Sequence, residues 1–431
     1  MVQEIRVRFS ACNDNAIDGR FRVQLTDALG NELGVASDFT PFLTQEDYEN
    51  LRWYLEEFMD LPDGGAIVRA QGTEQQLREW GRRLFDALFA APENQKLLQQ
   101  LLASPEPREL TLATDQSVLL RLPWELMADD AGNLAQRVSV RRQLEQPKQN
   151  VPRSITLPLR MLYVVSRPSD TGFIDPRLTT KSLFAALDPL GAHVRIDFCR
   201  PPTLARMEEM LREAQTADAP YHVVHFDGHG TFLPDAQIGA LCFEKADESL
   251  GDSQTDLVPA DRLGDLLAQY KIPLLVLEAC RSGTVGKSAV FRSVAPRLIM
   301  AGVGSVLSMG HAVHVEAARI LLDRFYRELV RGSTIGHAVA QGRSALIAVN
   351  ARWIESGPLG RTVTLDDWFL PHLYQRGLDE PLFPRVEADQ RAVRQYDLFL
   401  SHNHNDSARV ESLARRLVEK HGLRIWLDKW E

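Results

Sequence analysis

Two short runs in this chain carry residue types that could do covalent chemistry, and each follows an apolar stretch. One is His225-Phe226-Asp227-Gly228-His229-Gly230; the other is Glu278-Ala279-Cys280-Arg281-Ser282-Gly283. A thiol with an ordinary pKa near ~8.5 is mostly protonated at neutral pH, so it needs a base or a favourable field before it can attack. His229 is the candidate base: it could take the proton of Cys280 and return one to a leaving amine. The tetrahedral intermediate would carry negative charge on oxygen, which backbone N–H groups stabilise. Glycine beside the histidine lets that backbone approach a substrate with no Cβ in the way, and Gly228 supports the turn that presents the imidazole. Cys280 taken alone reads as a small buried hydrophobe. Its pairing with a glycine-flanked histidine is what makes it a nucleophile.

His222, His225 and His229 invite a metal reading, but zinc pairs spaced H-x3-H sit on helices and this run is strand-like. No metal or cofactor is expected. His311, His314 and His337 read as surface or helix-terminal residues, and His402 to Asp406 as a polar loop.

The elements that must position the pair are strands. Tyr221 to Val224 and Ile272 to Leu277 are aliphatic runs of buried-strand length, each ending abruptly in polar residues. Carboxyl ends of strands are where open α/β sheets collect their chemistry. Around them, strands are expected at Leu110–Thr114, Val138–Arg141, Leu159–Val165, Val194–Phe198 and Gly304–Met309, with a hairpin near Ala240–Phe243. Helices are expected at Leu178–Leu190, Thr203–Ala214, Asp261–Tyr270, Phe291–Met300 and across Val315–Ala348. Such alternation implies a mostly parallel sheet with helices on both faces. Ahead of it, residues 4–39 alternate like β structure. Thr44 opens a helix with Asp47 three residues on, a second helix runs from about Glu74 to Ala91, and a third begins at Pro92.

The two chemical runs resemble those of the caspase and metacaspase clan of cysteine peptidases. Metacaspases carry H-Y-S-G-H-G and D-x-C-H-S-G, and in caspases the histidine lies about 50 residues upstream of the cysteine, as here. Leu122-Pro123-Trp124-Glu125-Leu126 and Trp368-Phe369-Leu370-Pro371-His372-Leu373-Tyr374 look like the bacterial CHAT branch of that clan, and the resemblance covers roughly residues 108–376. It implies a caspase-like fold, a Cys280–His229 dyad without a third member, and an oxyanion hole made by the Gly230 and Cys280 amides. It also makes Glu278 and Asp227 the residues that line the substrate pocket. Metacaspases hold an aspartate at the place of Glu278, so a preference for cleavage after Arg or Lys is expected. The competing reading is that Arg281 or another local base neutralises Glu278, which then merely holds its loop.

Tyr396-Asp397-Leu398-Phe399-Leu400-Ser401-His402, a helix from Ser407 to Lys420, and Leu423 to Asp428 resemble the β-α-β opening of a TIR domain. Only about the first quarter of such a domain is covered, without the later helix that carries the catalytic glutamate of TIR enzymes, so NAD hydrolysis is not expected. The division is then 1–106 as an N-terminal β-plus-helix region, 107–380 as the CHAT peptidase domain, 381–394 as a linker, and 395–431 as a partial TIR domain.

A chain of 431 residues with 44% hydrophobic and 25% charged residues has the composition of a soluble globular protein of more than one domain. The net charge of −9 leaves no basic footprint for nucleic acid. Met1-Val2-Gln3-Glu4 has neither the basic start nor the apolar core of a signal peptide, and no run reaches ~18 uncharged apolar residues, so neither a leader nor a membrane span is expected. Four scattered cysteines, Cys12, Cys199, Cys242 and Cys280, suit a reducing cytoplasm. The expected function is a regulated cysteine endopeptidase acting on proteins or peptides, in bacterial defence or cell-death signalling. The alternative is a signalling adaptor that self-associates through the TIR-like segment and uses the peptidase-like core as scaffold.

Overall fold

The aliphatic runs assemble into one eleven-stranded sheet in the computed structural model, which describes residues 3–12, 19–60, 62–105, 107–144, 155–171, 176–233, 238–245, 254–278, 290–311, 314–354, 361–383, 398–400, 406–421, 423 and 425–427. In spatial order the strands are Glu32–Phe39, Phe21–Thr26, Glu4–Ala11, Glu109–Ala113, Ser139–Gln143, Pro371–Gln375, Ser305–Met309, Leu274–Glu278, Val223–Asp227, Leu159–Val165 and Val194–Phe198. Neighbours are parallel except in the hairpins of the first three strands and where Pro371–Gln375 runs against Ser305–Met309. The expected mixed α/β architecture with a mostly parallel sheet is what forms.

The central strands are buried on both faces, which is why they read as continuous apolar runs without alternation. Successive residues still point to opposite faces. Val223, Leu274 and Val276 enter one core, packed under the helices Val315–Val330 and Ile335–Ala348. Val224, Phe226, Leu275 and Leu277 enter the other, under Ala260–Gln269 and Val290–Ala301.

The N-terminal region continues this sheet. Glu4–Ala11 pairs in parallel with Glu109–Ala113, register Val7 to Leu112. The Thr44 cap forms as expected: its hydroxyl accepts from the Asp47 amide, and the Asp47 carboxylate accepts from the Thr44 amide. The following helix differs from expectation, running Gly64–Phe89 and starting ten residues earlier than its apolar stripe. Asp63 caps it by accepting from the Ala66 amide at 2.8 Å, which overrides the helix-breaking tendency of Gly64 and Gly65.

Two buried ion clusters tie distant stretches of the chain together. Glu125, in the Leu-Pro-Trp-Glu-Leu run, accepts from Arg142 Nη1 and Nη2 at 2.5 and 2.9 Å and from Arg343 Nη2 at 3.1 Å, and all three residues are fully buried. Burial brings the Arg343 guanidinium down to about 10. Arg141 reaches Glu4 at 3.0 Å and Glu109 at 3.1 Å. One guanidinium does not support two buried carboxylates equally. Burial would raise Glu4, but Arg141, Thr111 and Arg6 outweigh it and hold that carboxyl low. Glu109 is pushed up to about 8 by burial and by the nearby Asp379 and Glu4 charges, against the pull of Arg141.

At the C-terminus, Leu398–Phe399 and Ile425–Trp426 pair in parallel around the helix Ser407–His421. This β-α-β unit has a small core of Ala414, Ile425 and Leu427. The Trp426 ring lies 4.6 Å from that of Phe198 on the last strand of the large sheet. Among the described residues, no helix is long and apolar enough to cross a membrane.

Candidate active site

The histidine strand Val223–Asp227 and the cysteine strand Leu274–Glu278 are adjacent and parallel, with Asp227 opposite Glu278. The Gly228 amide donates to the Glu278 carbonyl at 3.3 Å, carrying the ladder one residue further. His229 stands two residues beyond Asp227 and is 5% exposed. Cys280 stands two residues beyond Glu278; it and Arg281 lie outside the described residues.

Gly228 is a glycine for a spatial reason. A Cβ there would meet the Phe226 ring at 2.8 Å and the Ser166 carbonyl oxygen at 3.2 Å. After the turn, Gly230–Leu233 pairs antiparallel with Ile238–Glu244, Gly230 opposite Leu241. The His229 carbonyl accepts from the Cys242 amide at 2.9 Å. Residues in such a ladder alternate between bonded and non-bonded pairs, so the Gly230 N–H points away from its partner strand.

Glu278 and Asp227 both turn into a buried polar cluster. Asp227 is fully buried and accepts from Arg167 Nη2 at 2.6 Å and from the Tyr163 hydroxyl at 3.1 Å. Arg167 also donates to the Asp227 carbonyl at 2.7 Å. Both Asp227 carboxylate oxygens are therefore engaged within the cluster. Glu278 is 1% exposed; its Oε2 lies 3.0 Å from His225 Nε2, while its Oε1 has no hydrogen-bond partner among the described residues. Burial pushes the Glu278 carboxyl up, as does the Asp227 charge, while the bond to His225 pulls it down. On its other side, His225 Nδ1 lies 2.9 Å from the hydroxyl of Tyr326, on the helix Val315–Val330.

Among the described residues, the side chain that answers Glu278 is a histidine that sequence reasoning grouped with His222 and His229. Those three go to separate places. His222 Nδ1 accepts from the Arg160 amide at 3.1 Å, before the strand begins, and His225 bridges Tyr326 and Glu278. His311 is buried and paired with Glu56 at 3.1 Å, not a surface residue. His314 is helix-terminal as expected, capping Val315–Val330. Period-two spacing puts His225 on the same strand face as Asp227, a signal that could have linked it to the site. Tyr326 and Arg167 left no such trace, because they arrive from distant parts of the chain.

Residues 78–375 match the family model of the CHAT domain. No curated protein matches the chain. Among solved structures it is similar to separase in the Saccharomyces cerevisiae separase–securin complex, at 10% identity and a TM-score of 0.46, covering 87% of this chain and 30% of that one. It is similar to the Arg-specific cysteine proteinase gingipain R (RgpB) of Porphyromonas gingivalis, at 11% identity and 0.38, covering 73% and 76%. The Drosophila initiator caspase Dronc follows at 11% and 0.26, covering 52% and 84%. The chain thus spans under a third of the separase chain it matches.

Proposed function

This chain belongs to the CHAT domain family, and from that premise we propose that it is a cysteine endopeptidase whose nucleophile is Cys280 and whose base is His229. The observation that carries this reading is the register of the two strands: Asp227 faces Glu278, so His229 and Cys280 follow at equal distance beyond one pair. In the proposed reaction the Cys280 proton passes to the imidazole and the thiolate adds to the substrate carbonyl carbon. Negative charge moves to the carbonyl oxygen, which the Gly230 and Cys280 amides receive. The outward direction of the Gly230 N–H supports that role. The C–N bond then breaks as His229 protonates the departing amine, leaving a thioester on Cys280. Water, deprotonated by His229, adds to the thioester and releases the carboxylic acid and the thiol.

Glu278 is proposed to select Arg or Lys before the scissile bond, supported by its uncommitted Oε1. At rest the buried carboxyl is pushed toward its neutral form, and an arriving cation supplies the charge that holds it ionised. The C-terminal unit is proposed as the opening of a TIR-like module that mediates self-association, supported by its β-α-β order and the Tyr-Asp-x-Phe-Leu-Ser-His run. A peptidase joined to such a module fits a triggered effector in bacterial defence or cell-death signalling, acting in the cytoplasm.

The test is cleavage of a peptide library by the wild-type protein, Cys280→Ala and His229→Ala. Cleavage that survives Cys280→Ala ends the peptidase reading. Growth arrest on expression in bacteria, lost with Cys280→Ala, would support the effector role; arrest that persists would remove it.

A further inference from the structure

The histidine that opens the motif, His225, is gripped on every side. Its imidazole is fully buried, with Nδ1 at 2.9 Å from the Tyr326 hydroxyl and Nε2 at 3.0 Å from Glu278 Oε2. The Tyr163 ring meets it edge-on at 5.2 Å, and the Tyr326 ring stacks at 6.2 Å. Asp227 and Arg167 complete the charged surroundings.

Hydrogen-bond inventory assigns the protons. The Tyr326 hydroxyl is buried, and burial drives its pKa well upward, so it keeps its hydrogen. That hydrogen has His225 Nδ1 as its partner, which makes Nδ1 the acceptor. In the neutral imidazole Nε2 then carries the proton and donates it to Glu278 Oε2. The reverse arrangement, with Glu278 donating to Nε2, would place a hydrogen on Nδ1 facing the phenol and leave the phenol hydrogen unsatisfied. One Glu278 oxygen is therefore committed, and the other, Oε1, is not.

We propose that His225, locked by Tyr326, is a positioning residue that fixes the Glu278 carboxylate with Oε2 occupied and Oε1 left to receive the basic side chain preceding the scissile bond. This rests on the peptidase reading above and adds to it the residues that hold the selecting carboxylate in place. So held, Oε1 meets an arriving guanidinium or ammonium with a charge-assisted bond, and an apolar side chain leaves it unanswered.

Binding to the Cys280→Ala protein tests this without turnover, using tetrapeptides identical except for a C-terminal Arg, Lys or Leu and read by calorimetry. The Arg and Lys peptides should each bind about tenfold or more tighter than the Leu peptide. Glu278→Gln should erase that preference. His225→Phe should reduce it about tenfold, and His225→Gln, whose amide N–H can reach Oε2, should restore most of it. Tyr326→Phe removes a single hydroxyl and should give a partial loss of about threefold, which keeps the proposal testable if His225→Phe does not fold. Equal binding of all three peptides overturns the inference. So does a preference unchanged in His225→Phe or Tyr326→Phe. None of these touches the peptidase reading, which falls only if Cys280→Ala still cleaves.

Discussion

Replacing Glu125 with glutamine keeps the side chain's size and removes the one negative charge between two fully buried guanidiniums. At about 4 Å and an effective dielectric near 20, each ion pair is worth about 4 kcal/mol. Two such pairs set an upper bound that the remaining acceptors reduce. Arg142 keeps the Leu120 and Leu122 carbonyls, and Arg343 keeps those of Val140 and Pro371. A loss of about 3–5 kcal/mol follows, the range for breaking a buried pair from one side. Urea unfolding read by intrinsic fluorescence measures it as a fall in midpoint at constant slope. The double variant Glu125→Gln, Arg343→Met should recover about half of the loss, since it removes one uncompensated cation along with its partner. A single-variant loss below about 1 kcal/mol, or a double variant that is simply worse, would refute the assignment of this cluster as the clamp between the Trp124–Leu126 turn, the strand Ser139–Gln143 and the helix Ile335–Ala348.

Three further outcomes are expected. Glu109 holds its proton in the folded chain up to about pH 8 but loses it near 4.5 when unfolded, so its contribution is present below that lower value and is lost as pH rises through about 8. Stability should fall across that window by at most about 1.4 kcal/mol per pH unit, and urea midpoints of Glu109→Gln should be flatter there. Cys199 and Cys242 are buried, with thiols pushed up to about 12 and about 11, so iodoacetamide should leave both unmodified in the native protein and react with exposed Cys12 and with Cys280; mass spectrometry of the Cys280→Ser variant should show Cys12 alone. Gly228→Ala forces a Cβ against the buried Phe226 ring and the Ser166 carbonyl, a strain of about 1–3 kcal/mol at the turn carrying His229, and should sharply slow Cys280 alkylation while the rate at Cys12 stays as it was.

Legibility in the sequence followed the range of the interaction. Strands such as Leu274–Glu278 announce themselves because two-sided burial demands an unbroken aliphatic run, and the Thr44 cap is a matter of three residues. The start of the helix at Gly64 was hidden, since one Asp63 carboxylate outweighs two glycines that propensity alone would count against it. At the site, His229 and Glu278 are visible through spacing and strand periodicity. The partners of the neighbouring residues are not: Tyr326 lies 101 residues from His225, and Arg167 lies 60 from Asp227. Those pairings exist only after the sheet and the helix above it have met. The antiparallel placement of Pro371–Gln375 was equally hidden, because direction within a sheet leaves no mark on a short apolar run.

The sheet's unbroken passage from Glu4–Ala11 into Glu109–Ala113 bears on how this protein could be cut, permuted or fused. A cut near residue 105 would look harmless by composition. Released, the first hundred residues would uncover a parallel edge led by Leu110 and Leu112 and leave the Arg141 guanidinium without Glu4. An edge of that kind is a template for foreign strands and so for clumping. The opposite margin, at Val194–Phe198, already has Trp426 resting on it. The edge at Leu110 and Leu112 is thus covered by Glu4–Ala11 and the hairpins that follow it, while at the far margin Trp426 packs on Phe198.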